Sequence, residues 1–192
     1  MIDSLNEQNK RIAAFISLLL GKCPKKNRPL GNRISFIKGK PAVSGAGKPL
    51  PYLNMDYLSG GDPQYSCEGL LAQNDDVLML MDGASSGAVY IGQNGYVGST
   101  FAIIEHSDDI NPFVLYCVLK ENEGMLKTRT TGSAIPHTDK ALVASLGYPL
   151  ISNEDTCTIE SLLRRKQRNQ EEIRILKSTK SVLLHKHFST NR

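Results

Sequence analysis

No stretch of this 192-residue chain approaches the ~20 consecutive apolar residues that a membrane span requires. Cysteine is sparse, and Cys23, Cys67, Cys117 and Cys157 stand far apart. No pair has metal-ligand spacing and nothing resembles a disulfide framework, so reduced thiols and a cytoplasmic location are expected. The four histidines form no metal constellation. Positive charge is nearly missing from residues 51–126, where Lys120 stands alone against eleven Asp/Glu. An N-terminal secretory signal also fails. Lys10-Arg11, Ile12 to Leu20 and Cys23 imitate one, but Asp3 and Glu7 occupy the supposed positive region and Lys22 sits where a small residue is needed.

Catalytic motifs come close and miss. Gly83-Ala84-Ser85-Ser86-Gly87 matches G-x-S-x-G, with Asp108 or Asp109 and His137 in the right order for a triad. A nucleophile elbow must run into a helix, whereas Ala88-Val89-Tyr90-Ile91 is strand-like, so a glycine-rich turn between strands is the better reading. Gly45-Ala46-Gly47-Lys48 would need Gly at 42 and Ser or Thr at 49 for a phosphate loop, and has Ala42 and Pro49. Asn111-Pro112-Phe113 lacks the second proline of a methyltransferase tetrad and reads as a helix cap.

What is present divides into three parts, an N-terminal helix in 1–23, a domain in 24–155 and a long helix in 156–192. The first carries Ile12, Phe15, Ile16 and Leu19 on one face of a helix over residues 3–20. Pro24 to Pro29 reads as a linker, because its prolines and charges cannot continue that helix. In the middle, Arg33–Ile37, Val77–Met81, Ala88–Ile91 and Phe101–Ile104 are short apolar runs bounded by turn residues. Asn94-Gly95 is expected to make a tight turn. Helices are expected from Asn111-Pro112 to about Lys120 and from Thr138 or Asp139 to about Ser145. The class is therefore α+β. In the last part, Ile159, Leu162, Ile173, Leu176 and Leu183 fall on a coiled-coil seam, with polar Lys166, Asn169 and Lys180 also on it. A helix of roughly 30 residues is about 45 Å long. It is expected to project from the domain and pair with another helix.

Charge is segregated. Residues 1–50 hold ten Lys/Arg against Asp3 and Glu7, and residues 127–192 hold twelve against six acids. Two basic flanks around an acidic middle suit a protein that meets a polyanion with selected surfaces. Two groups supply the cations and hydrogen-bonding tips that DNA recognition needs: Lys38, Lys40 and Lys48 with Tyr52 and Asn54, and Lys127 and Arg129 with Thr131, Ser133 and His137.

The order of pieces resembles the specificity subunit of type I restriction–modification enzymes. The resemblance runs through Pro29-Leu30-Gly31-Asn32-Arg33-Ile34-Ser35-Phe36-Ile37-Lys38-Gly39-Lys40, Pro51-Tyr52-Leu53-Asn54, Asn74-Asp75-Asp76-Val77-Leu78 and Asp82 to Gly87. It continues through Gly98-Ser99-Thr100, the helix Phe113 to Leu119, Gly132-Ser133-Ala134-Ile135-Pro136-His137 and Tyr148-Pro149-Leu150. The segment Asn6 to Leu19, which in the family usually follows the recognition domain, here precedes it. The chain thus resembles a half-subunit with one target recognition domain and a circularly permuted spacer helix. That resemblance implies a non-catalytic DNA-recognition subunit without a cofactor of its own. Its expected partners are double-stranded DNA, methyltransferase subunits that use S-adenosylmethionine and, through them, a restriction translocase. One domain and one spacer imply a homodimer through the long helix or a piece of a split protein. Two rivals come from other classes: a small serine hydrolase using Ser85, and a helical assembly adaptor that does not bind DNA.

Overall fold

In the computed structural model, which describes residues 1–23, 28–132 and 135–189, the chain starts with α1 (Ile2–Lys22), β1 (Arg28–Pro29) and β2 (Ile34–Lys38). Then come β3 (Leu50–Leu53), α2 (Met55–Leu58), β4 (Tyr65–Ser66), β5 (Leu71–Ala72), β6 (Val77–Leu80), β7 (Val89–Ile91), β8 (Gly95–Val97) and β9 (Phe101–His106). The remainder is α3 (Pro112–Glu121), α4 (Glu123–Thr128), β10 (Thr130–Thr131), β11 (His137–Thr138), α5 (Lys140–Ser145), β12 (Gly147–Tyr148) and α6 (Asn153–Ser189). Mixed helix and strand, with a helix at each end, is the α+β class read from the sequence. Of the expected linker, residues 24–27 lie outside the described part, and Arg28–Pro29 pairs antiparallel with Gly147–Tyr148.

Two four-stranded sheets stack. The first runs β2-β9-β6-β7 and is antiparallel throughout. The second runs β4-β3-β8-β5, with β3 and β8 parallel. Side chains alternate across a strand, so the continuous apolar run Val77–Leu80 serves two cores. Val77 and Met79, with Ala102 and Ile104, pack among α1, α3 and α6. Leu78 and Leu80, with Phe101 and Ile103, meet Leu53, Ala72 and Val97 of the second sheet. The layers are helices, sheet, sheet. Because α3 is covered on all sides, every residue from Phe113 to Leu119 is buried.

Helix starts follow local chemistry. Asn111 Oδ1 accepts from the Phe113 and Val114 amides at 2.9 and 3.2 Å, with proline in the first turn. Asp139 Oδ1 accepts from the Leu142 amide at 3.0 Å and opens α5. The turn expected at Asn94-Gly95 does not close a hairpin. β7 belongs to the first sheet and β8 to the second, so this link carries the chain between layers.

The expectation for the long helix needs correction. Its 37 residues, about 55 Å, do not leave the body at once. α1 lies antiparallel against it. Leu19, Lys22 and Cys23 border the same cleft as Ile151, Ser152 and Asp155, while Gln8 and Asn9 bond Arg165 and Asn169. Ile12, Ile16 and Leu20 share a core with Ile159 and Leu163. The seam therefore has a partner helix within the same chain. Leu163 rather than Leu162 is fully buried on it, Ile173 is buried, Leu176 is half-buried and Leu183 is 61% exposed. On the other side Arg164 stacks over Phe113 at 4.8 Å and bonds Asp75 at 3.1 Å. Arg174 stacks over Tyr57 at 4.4 Å and donates to its hydroxyl at 2.7 Å. Only beyond about Lys177 are all described side chains of α6 exposed.

Candidate nucleic-acid interface

One end of the first sheet gathers residues that are remote in sequence. β11 is stitched to the end of β6: the Thr138 amide donates to Met81 O at 2.8 Å, Thr138 Oγ1 to Leu80 O at 2.7 Å, and the Gly83 amide to Pro136 O at 3.0 Å. That seam sets His137 beside Asp82, with Nδ1 2.7 Å from Oδ1. Lys38, the last residue of β2, reaches the other carboxylate oxygen at 2.6 Å. Burial opposes ionisation of Asp82, but hydrogen bonds from Lys38 and His137 outweigh it and hold its carboxyl below the ordinary carboxylate range. Beside this trio Lys140 stands over the Phe36 ring at 5.3 Å.

Two expected DNA-contact residues from different groups, Lys38 and His137, thus meet through an acid that the sequence reading did not select. Thr131 joins them, since it pairs with His137 in the β10–β11 ribbon and donates Oγ1 to its carbonyl at 3.4 Å. Ser133 lies outside the described residues. Lys40 and Lys48 are exposed, at and within a loop whose residues 41–49 are all exposed. Gly39 lets the chain between Lys38 and Lys40 pass against the end of β8, because a Cβ there would lie 2.3 Å from Val97 O. Arg129 is exposed and has no acidic partner among the described residues. Lys127 is tied to Glu123, which also binds Lys120.

Tyr52 and Asn54, also expected at the contact surface, both make bonds within the fold. Tyr52 is buried, and its hydroxyl donates to Lys40 O and accepts from the Ser99 amide, both at 3.1 Å. Asn54 caps α2 by accepting from the Tyr57 amide at 2.9 Å and donates to Gln64 at 3.0 Å. The Tyr52 hydroxyl is engaged inside the fold, whereas Asn54 is half-buried and its bond to Gln64 lies at the surface. Asp82, Phe36 and Lys140, which stand beside Lys38 and His137, were not among the expected contacts. The available signal was an acid directly before the glycine-rich turn 83–87.

That turn links β6 to β7, which are antiparallel neighbours, so Ser85 stands between two strands rather than at a strand-to-helix elbow. His137 is held by Asp82, while Asp109 binds Ser107 and Arg33 at 2.5 and 2.9 Å. His137 thus takes Asp82, not Asp109, as its carboxylate partner. Among the described residues, no cluster of three His, Cys, Asp or Glu side chains could hold a metal, and no helix is long and apolar enough to cross a membrane.

No family model matches the chain. A 143-residue stretch, 70% of the chain, is 30% identical to the type I restriction enzyme MjaVIII specificity subunit of Methanocaldococcus jannaschii, of which it covers 34%. A crystal structure of the type I restriction–modification S subunit from M. genitalium shares the fold over 70% of this chain and 37% of its own, with TM-score 0.52 at 18% identity. The chain therefore spans about a third of the length of these relatives. Over the greater part of its length the chain is similar in sequence to one type I restriction–modification specificity subunit and shares the fold of another.

Proposed function

We propose that the chain is a sequence-specific DNA-recognition module that reads one half of a bipartite target, does no chemistry itself and docks methyltransferase subunits. The observation that carries this reading is its sequence relationship to a specificity subunit. The geometry supports it: Lys38, Lys40, Lys48, Arg129 and Lys140 are exposed on strand ends, loops and a helix start. Cations so placed suit phosphates, which position a protein on the duplex before base edges are read. S-adenosylmethionine belongs, in this proposal, to the methyltransferase partner, and a restriction translocase joins through that partner. A second copy pairs through the distal part of α6, where Val182 and Leu183 are 52% and 61% exposed.

Fluorescence anisotropy with a labelled DNA duplex at increasing salt tests the reading. Log affinity should fall linearly with log salt, about 0.9 per phosphate neutralised, and selection from a random duplex pool should recover a defined half-site. Absence of salt-dependent binding would overturn it in favour of a helical adaptor.

A further inference from the structure

Behind the Lys38–Asp82–His137 trio lies a pocket whose lining includes Phe36, Lys38, Met81, Asp82, His137 and Lys140. Its floor is apolar and its rim is charged. Two lysines against one carboxylate leave the lining net cationic, and His137 adds a second ring nitrogen that its bond to Asp82 does not use. Asp82 is only 21% exposed, and its two oxygens are divided between Lys38 and His137. The acid therefore holds two donors in place, while Lys140 is aligned separately by the Phe36 ring.

We propose that this pocket seats one phosphate of a DNA backbone, held by Lys38, Lys140 and His137, with Asp82 as the residue that positions two of those three. The proposal rests on the DNA-recognition reading and adds to it a defined phosphate site. A single tetrahedral anion fits convergent donors over an apolar floor, because partial exclusion of water strengthens each charge-assisted bond. Asp82 distinguishes this arrangement from a merely basic surface. On such a surface, removing a negative charge strengthens DNA binding. Here its removal frees the lysine and the imidazole to wander.

The experiment measures anisotropy of a labelled mixed-sequence duplex against salt for the full chain and for Lys140→Ala, Lys140→Arg and Asp82→Asn. Thermal melts serve as the fold control. Lys140→Ala should lower affinity roughly threefold to tenfold and flatten the salt slope by about 0.9, and Lys140→Arg should restore the slope. Asp82→Asn should weaken binding although it removes a negative charge. Inorganic phosphate at constant ionic strength should displace DNA from the wild type. Wild-type binding with Lys140→Ala unchanged in affinity and slope, or Asp82→Asn binding more tightly, would overturn the pocket while leaving DNA recognition standing. Should phosphate shift the His137 ring resonances without displacing DNA, the site would serve a free anion and the backbone assignment would fall. If no DNA binds to the wild type, both readings fall. Lys140 is exposed, so its variants keep the test decisive even if Asp82→Asn fails to fold.

Discussion

Glu123 sits where three donors converge: Lys120, Lys127 and the amide of Val89. Burial would raise its carboxyl, but the two lysines outweigh that and hold it below the ordinary carboxylate range. A folded value beneath the unfolded one contributes stability that is full above the unfolded value and lost as pH falls through the folded one. Glu123→Gln should therefore cost about 1–3 kcal/mol near neutrality, with the gap from wild type closing below roughly pH 4; urea melts across pH would show it. A constant gap would mean the ion pairs contribute nothing. The same carboxylate partly neutralises Lys127, whereas Arg129 has no such partner among the described residues. Arg129→Ala should thus flatten the salt dependence of DNA binding by about 0.9, and Lys127→Ala by less, in parallel titrations. Thiols offer a further check. Burial pushes Cys117 up to about 12, while Cys157 is exposed. Mass spectrometry after brief iodoacetamide treatment should find Cys157 alkylated and Cys117 intact.

α1 and α6 show what could and could not be read from the chain. Both helices announce themselves through their apolar period, and α3 and α5 through caps, their first turns being closed by Asn111 and Asp139. The four longer apolar runs became strands of the first sheet for an equally local reason. α2 and α4, of four and six residues, are too short to show such a period. Partner choice was illegible as well. An apolar seam on α6 states that something must cover it, not that α1 of the same chain does. Polar Lys166 and Asn169 fit a seam facing the domain and α1: desolvation lowers the Lys166 pKa, and Asn169 Nδ2 donates to Asn9 Oδ1 at 2.9 Å. Nor does side-chain type reveal whether a Tyr or Asn polar atom is already bonded, as the Tyr52 hydroxyl and the Asn54 amide are. Ile159, fully buried, should lose about 2–5 kcal/mol on replacement by Ala, while Leu183→Ala should leave the melting temperature of dilute protein unchanged. An equal effect at both positions would refute the burial pattern.

Taken as a body, the molecule is two stacked sheets under a helical roof, with the end of that roof overhanging. Deleting Lys166 to Glu172 would keep the helical period but remove buried Asn169 and shift Ile173 and Arg174 off their partners. Spacing between paired copies is better altered beyond Lys177, where the body has no hold. Truncation after Lys177 should preserve the melting temperature yet shift sedimentation from dimer to monomer. A monomeric wild type would refute self-pairing. Closure of α1 on α6 also has a consequence for biosynthesis. The ribosome makes α1 before α6, so the apolar face of Ile12, Ile16 and Leu20 lacks that cover while the sheets are translated. At roughly 5–20 residues per second that interval is about 10–30 s, time enough for a nascent-chain chaperone to find it.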